Sequence, residues 1–146
     1  MGARVSIQLL LDNSAFVRLA APSLADHRVL QIAEAIEQRR IGTCLPFLLE
    51  AGYSARSATD HDQLLRELTA LPMLNIDTKV EQRALDAQHQ LARAGHHRLP
   101  PVDLIIAALA DRHSVGVLHY DHDYDILAEK TDLRFTSEWL ATRGSL

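Results

Sequence analysis

The feature that most restricts the fold of this chain is a short apolar run, Ile7 to Leu11, interrupted only by Gln8, that stops at Asp12-Asn13-Ser14. An apolar run this short reads as a strand buried on both faces, and the polar triplet behind it as a turn into a helix capped by Asn13 or Ser14. Strands covered on both faces belong to parallel sheets with helices on either side. The rest of the chain alternates in keeping with that. Leu24 to Arg39 has helical spacing, with Val29, Ile32, Ala33 and Ile36 on one face, and Gly42 ends it. Pro46 suits the first turn of a helix from Leu45 to Ser57, and Asp60 can cap another through Leu64, Leu65 and Leu68. Met73 to Ile76 is a short strand candidate, and Thr78 caps a helix closed by Gly95. Beyond the loop from Gly95 to Pro101, Val102 to His113 is helical, Val115 to Tyr120 is a buried strand, and Leu133 to Phe135 is a last short strand. Strands alternating with helices give an α/β class with a central, mostly parallel sheet flanked by helices.

No repeat, low-complexity stretch or linker interrupts the 146 residues, so residues 1–146 are read as one domain. A chain of this length buries roughly 68–70% of its unfolded surface and needs no disulfide or structural metal to hold a core. Its single cysteine, Cys44, fits a reduced, cytoplasmic setting. Ile7 to Leu11 is too short for an export signal, and no stretch is apolar for long enough to span a membrane. The net charge of −4 argues against a broad electrostatic grip on nucleic acid, but not against an enzyme that meets one locally. The 13 Arg against 2 Lys read mainly as solvated surface.

Four acids stand out because each is isolated among uncharged residues. Asp12 is the only charged residue between Arg4 and Arg18, Glu50 between Arg40 and Arg56, and Asp103 between Arg98 and Asp111, while Asp121 follows the uncharged run Ser114 to Tyr120. Desolvating an ion costs several kcal/mol unless a counter-charge or hydrogen bonds compensate, and none of these acids has a local base. Each has a plainer reading: Asp12 as a helix cap, Asp103 as a first-turn acid, Asp121 as part of a solvated turn with Asp123 and Asp125, and Glu50 as a helix acid. Their placements nonetheless converge. Asp12 and Asp121 lie just past the carboxyl ends of strands, where parallel sheets hold ligands, Asp103 opens a helix, and Glu50 can reach the same crevice. Four carboxylates together require a cation or protonation, and all-oxygen ligation selects Mg²⁺ or Mn²⁺, the ions of phosphoryl chemistry. Asp121, Asp123 and Asp125 imitate a calcium loop, but Ile126 and Asp132 stand where that loop needs Gly and Glu. His96, His97, His119 and His122 lack the spacing of a soft-metal site.

At these residues the chain resembles PIN-domain proteins, and more narrowly the VapC-type toxin ribonucleases of prokaryotic toxin–antitoxin pairs. The likeness rests on Leu-Leu-Leu-Asp12-Asn13-Ser14, on Leu49-Glu50 within Pro46 to Ser57, on Pro101 to Ala108 around Asp103, and on Val117 to Asp125. The resemblance implies that Asp12, Glu50, Asp103 and Asp121 are catalytic and metal-binding, with Asp123 contributing to the metal site. It also implies Mg²⁺- or Mn²⁺-dependent endonucleolytic cleavage of RNA, a homodimer, and inhibition by a VapB-type antitoxin. The Leu-rich helices from Leu45 to Leu71 are the candidate walls of a groove for that antitoxin. The chain departs from the family at Asn13 and at His119, where many members carry Thr or Ser, while Ser14 keeps a hydroxyl beside Asp12. Two alternatives remain at this stage: an acid-cluster phosphatase with Asp12 as nucleophile, and a degenerate nuclease domain that only binds.

Overall fold

The computed structural model describes residues 6–96 and 98–146; Arg4, which flanks Asp12 in sequence, and His97 lie outside the described residues. Strand β1 (Leu9–Leu11) leads through the single-turn helix α1 (Asn13–Phe16) to α2 (Asp26–Glu37) and β2 (Ile41–Gly42). Helices α3 (Leu45–Tyr53), α4 (Ala58–Leu68), α5 (Thr78–Arg93) and α6 (Pro101–His113) follow, then β3 (Gly116–His119), α7 (Asp123–Lys130) and β4 (Ser137–Trp139). The strands form one wholly parallel sheet in the order β2-β1-β3-β4, with Leu9 opposite both Ile41 and Gly116, and Val117 opposite Ser137. From β1 the chain crosses first to one side, at β2, and later to the other, at β3. The carboxyl ends of β1 and β3 are therefore the switch point where an open sheet of this kind leaves a crevice.

The α/β class and parallel sheet agree with the sequence reading; several details do not. The cap of α1 is Asp12 itself, whose side chain accepts from the Ser14 amide, and the caps of α4 and α5 are Ser57 and Asp77 rather than Asp60 and Thr78. Helix α2 buries Ile32 and Ala35, while Val29 and Ala33 are exposed, so its inner face is rotated from the expected one. Met73 makes only an isolated bridge to Thr43, and the second strand is Ile41–Gly42. Gly42, expected as a helix stop, sits inside that strand because a Cβ there would lie 2.8 Å from Ile7 Cδ1 and 3.2 Å from the Pro72 carbonyl oxygen. The last strand is the polar Ser137–Trp139 at the sheet edge, because Leu133 and Phe135 pack into the core instead of pairing. The segment from Asp121 to Asp125, for which a solvated turn was the plainer alternative, runs on into α7, which turns Tyr124 and Leu127, three residues apart, into the core.

Candidate active site

Each acid reaches the crevice by a different local device. Asp12 is 3% exposed at the end of β1, its backbone N–H donating to the Leu118 carbonyl of β3 at 3.0 Å. Its Oδ2 accepts from both the amide and the hydroxyl of Ser14, and its Oδ1 accepts from the Tyr124 hydroxyl at 2.7 Å. The Ser14 hydroxyl in turn accepts from the Tyr120 amide at 2.8 Å, so it ties the loop after β3 to the end of β1. Asp103 is carried in by α6, a helix opened by Pro101 whose middle, Leu104 and Ile106 to Ala110, packs in the core, and is itself 6% exposed. The Tyr124 hydroxyl lies 3.3 Å from Asp103 Oδ1, while Asp103 Oδ2 is buried without a hydrogen-bond partner. Asp121 follows β3, and its Oδ1 accepts from the Asp123 amide at 2.9 Å, starting α7. Oxygens of Asp103, Asp121 and Asp123 all lie within 4.8 Å of one another.

The charge balance is one-sided. Burial, followed by the charges of Asp12, Asp121, Asp123 and Glu50, pushes the Asp103 carboxyl up to about 8. Burial and the Asp121 charge raise Asp123. Half-buried Glu50, on α3, is raised by burial and by the charges of Asp12 and Asp121, against a lowering contact with the Asn13 carboxamide. The Tyr124 phenol is raised well above its usual value by burial and by Asp12 and Asp103, so it stays protonated and can donate. All five acids named from the sequence thus feel one another at this crevice, and no Lys or Arg among the described residues makes a salt bridge to any of them. A carboxylate oxygen buried without a donor, among like charges, fits a hard divalent cation: Asp103, Asp121 and Asp123 supply the converging oxygens.

Sequence reading did not single out Tyr124. Its signal was the aromatic between Asp123 and Asp125, a phenol that on burial needs a polar partner, but the sequence reading of that stretch rested on its acids alone. Asp125 faces away from the other acids of its run: Ser137 Oγ donates to its Oδ1 at 2.7 Å and Trp139 Nε1 to its Oδ2 at 3.0 Å. Burial acts to raise Asp125, and these bonds hold it below the usual carboxylate range. That divergence agrees with rejecting a calcium loop. His119 is fully buried, and burial pushes its imidazole down, so it is neutral.

Residues 9–130 match the sequence model of the PIN domain. The chain belongs to the PIN domain family. Among its PIN-domain relatives, the ribonuclease VapC18 of Mycobacterium tuberculosis is 37% identical over 139 residues, covering 93% of this chain and 97% of the relative. Ribonuclease VapC51 of the same organism is 32% identical over 144 residues, covering 97% and 99%. The PIN fold also superposes on the DNA-bound VapBC of Salmonella typhimurium with a TM-score of 0.70 at 18% identity, covering 92% of this chain and 99% of that one. For VapBC2 of Rickettsia felis, bound to a DNA fragment from its promoter, the TM-score is 0.71 at 14% identity, covering 91% and 99%.

Proposed function

We propose that this PIN-domain chain, residues 1–146 acting as one domain, is the toxin of a type II toxin–antitoxin pair and a Mg²⁺- or Mn²⁺-dependent endoribonuclease of the cytoplasm. The observation that carries the reading is the Asp103–Asp121–Asp123 cluster with its unpartnered Asp103 Oδ2, set at the switch point of a parallel sheet. Relatives named as ribonucleases support the reaction class.

In this reading Asp103, Asp121 and Asp123 would hold the cation, with Asp12 and Glu50 completing the acidic shell. The chemistry such an ion supplies when bound is activation of water and neutralisation of the charge that builds on a phosphate. The chain's own part is orientation. Ser14 and Tyr124 fix both oxygens of Asp12 by donated hydrogen bonds, which leaves the carboxylate little freedom to rotate. The Tyr124 hydroxyl, donating to Asp12, also lies 3.3 Å from Asp103 Oδ1, so it links the carboxylates after β1 and at the head of α6. Carboxylates held in this way would position a bound cation relative to an RNA phosphodiester, and the gain is positional. Half-buried Glu50, its carboxyl raised by burial and by the Asp12 charge, stands at the crevice edge as a candidate general acid or base. The acidic crevice is compatible with the chain's net charge of −4: the phosphate would be met by the cation and not by the surface.

The partner belongs to a second surface. An apolar groove of about 490 Å³ next to Glu50 is lined by Leu45, Leu49, Tyr53, Ile76, Val102 and Ile105, with Tyr53 92% and Leu49 65% exposed. Its α3 wall falls within the segment expected from sequence, but the opposite wall comes from α6 and the loop before α5, not from α4. We assign this face to the apolar side of a VapB-type antitoxin helix, with a homodimer as the toxin's own assembly; the solved VapBC neighbours support a partner of that kind.

The test is cleavage of a pool of structured RNAs by antitoxin-free protein with Mg²⁺ or Mn²⁺ against chelator, beside Asp103→Asn. Metal-dependent cleavage lost in the variant supports the reading. Folded protein that binds Mn²⁺ in calorimetry but cleaves no RNA moves it to the binding-only alternative, and absence of Mn²⁺ binding removes the metal from it.

A further inference from the structure

The buried His119 is absent from the chemistry above, yet it joins the loop after β3 to β4 and α7 through a chain of hydrogen bonds and ring contacts. Its ring packs against Tyr124, with centroids 4.9 Å apart, and against Trp139 at 5.0 Å. The Asp121 amide N–H points at His119 Nδ1 at 3.1 Å, and His119 Nε2 lies 2.7 Å from Ser137 Oγ. Ser137 Oγ is also 2.7 Å from Asp125 Oδ1, and Trp139 Nε1 donates to Asp125 Oδ2.

The proton count fixes the tautomer. An amide can only donate, so Nδ1 must accept from Asp121, and the ring hydrogen of the neutral imidazole must sit on Nε2. That hydrogen goes to Ser137 Oγ, which leaves the single serine hydrogen for Asp125. In the opposite tautomer the Asp121 amide would face an N–H, and Ser137 would need two hydrogens to serve both Nε2 and Asp125. Only one arrangement satisfies every group.

We propose that His119 is a positioning residue for the metal carboxylates: its Nδ1 anchors the backbone of Asp121, and its ring seats Tyr124, whose hydroxyl serves Asp12 and Asp103. Ser137, Asp125 and Trp139, on β4 and α7, hold the imidazole in the tautomer that can do so. The inference rests on the metal–carboxylate reading of the crevice. It also accounts for Asp125, the one acid of the 121–125 run that faces away from the cluster, as the far anchor of this chain of hydrogen bonds.

Two measurements on the purified full chain test it. In the metal-free protein, long-range ¹⁵N–¹H correlation of the histidine rings reads the tautomer directly: an Nε2-protonated His119 is expected, and an Nδ1-protonated ring overturns the proposal. Calorimetric titration with Mn²⁺ then compares wild type with His119→Phe, which keeps an aromatic ring but no acceptor, and His119→Asn, which keeps an acceptor near the Nδ1 position. His119→Phe should weaken Mn²⁺ binding by about 10–100-fold, the range for losing an outer partner of a metal ligand, and His119→Asn should recover much of that loss. Mn²⁺ affinity unchanged in His119→Phe, with wild type binding normally, overturns the positioning role. Should His119→Phe not fold, His119→Asn and the wild-type tautomer decide. Wild type that binds no Mn²⁺ is a different failure, that of the metal reading itself.

Discussion

Two groups of carboxylates in this molecule are built on opposite rules. On the α5 side, Arg83 donates to Asp111 Oδ2 at 3.1 Å and to Asp132 Oδ1 at 3.0 Å, and Asp132, bonded by Gln90 and Arg83, is held below the usual carboxylate range. At the crevice, Asp103, Asp121 and Asp123 converge with no guanidinium among them, and Asp103 is pushed up to about 8. The first group is complete in its own side chains and needs nothing further. The second has gathered like charge around an oxygen that no donor reaches, an arrangement that costs stability unless a proton or a cation is added. The two groups are thus separated in space: ion pairs knit the outer face beside α5, and buried and half-buried acids without a basic partner among the described residues converge at the switch point.

The sharpest way to break this contrast is to neutralise one acid of the second group. Asp103→Asn should lower metal-dependent RNA cleavage by at least about 100-fold, since even an orienting partner of a metal ligand is worth up to that much. The same variant should be no less stable than wild type in chelator, because it removes a charge the fold disfavours. Single-turnover cleavage and urea unfolding measured side by side check both halves. A variant that loses stability and activity together would make Asp103 a structural acid like Asp111.

A pH series sharpens the same point. Asp103 is raised in the folded protein relative to its ordinary value of 3.8, so the folded state holds a proton that the unfolded state has released. Stability from this group is full below about pH 4 and is lost as pH rises through about 8. Metal-free wild type should therefore unfold at lower urea at pH 8 than at pH 5, beyond the slope shown by Asp103→Asn. Mn²⁺ should reverse the trend, because its binding displaces that proton and tightens as pH rises. A urea midpoint with the same pH slope in wild type and Asp103→Asn would contradict the raised carboxyl.

Tyr124→Phe comes next in size. It leaves a buried Asp12 oxygen without its donor, and a group stranded in that way costs about 1–3 kcal/mol. Cleavage should fall while the fold survives, in contrast to what truncating a core residue such as Leu118 would do.

The acids were legible in the sequence because a carboxylate alone in an apolar stretch violates a strong rule, and the violation is visible without coordinates. Asp12 and Asp121 could also be placed, since each directly follows a buried run. Tyr124 and the His119 network were not legible, for a physical reason: their partners are separated by 112 residues for Tyr124 and Asp12, and by 18 for His119 and Ser137, distances no local pattern encodes. The edge strand Ser137–Trp139 was missed for the opposite reason. Its pairing is made by the backbone, so its side chains carry little apolar signal, and the apolar neighbours Leu133 and Phe135 drew the assignment four residues early. Gly42 misled in the same way, being selected for close approach to Ile7 and Pro72 rather than for stopping a helix.

On the other side of the comparison, Arg83→Ala should cost about 1 kcal/mol, near the upper end for exposed ion pairs because Asp111 is only 15% exposed. The loss should shrink in high salt and leave cleavage untouched, which urea unfolding at two ionic strengths together with the RNA assay would read. Cleavage that fell with Arg83→Ala would mean the two carboxylate groups are not independent.

The smallest effect expected lies in neither group and serves as the control for both. Ser114 closes α6 in the left-handed region at φ 56°, a conformation that disfavours a side chain by roughly 1–2 kcal/mol. Glycine removes that strain but gains freedom in the unfolded chain, worth roughly 0.5–1 kcal/mol against it. Ser114→Gly should therefore stabilise by about 0.5–1 kcal/mol, the difference of the two. Because α6 carries Asp103 at its opposite end, the variant also asks whether tightening that helix changes the crevice. Unchanged Mn²⁺ affinity with a slightly higher urea midpoint would show that the acid cluster is set by its own hydrogen bonds and not by the helix that delivers one of its members.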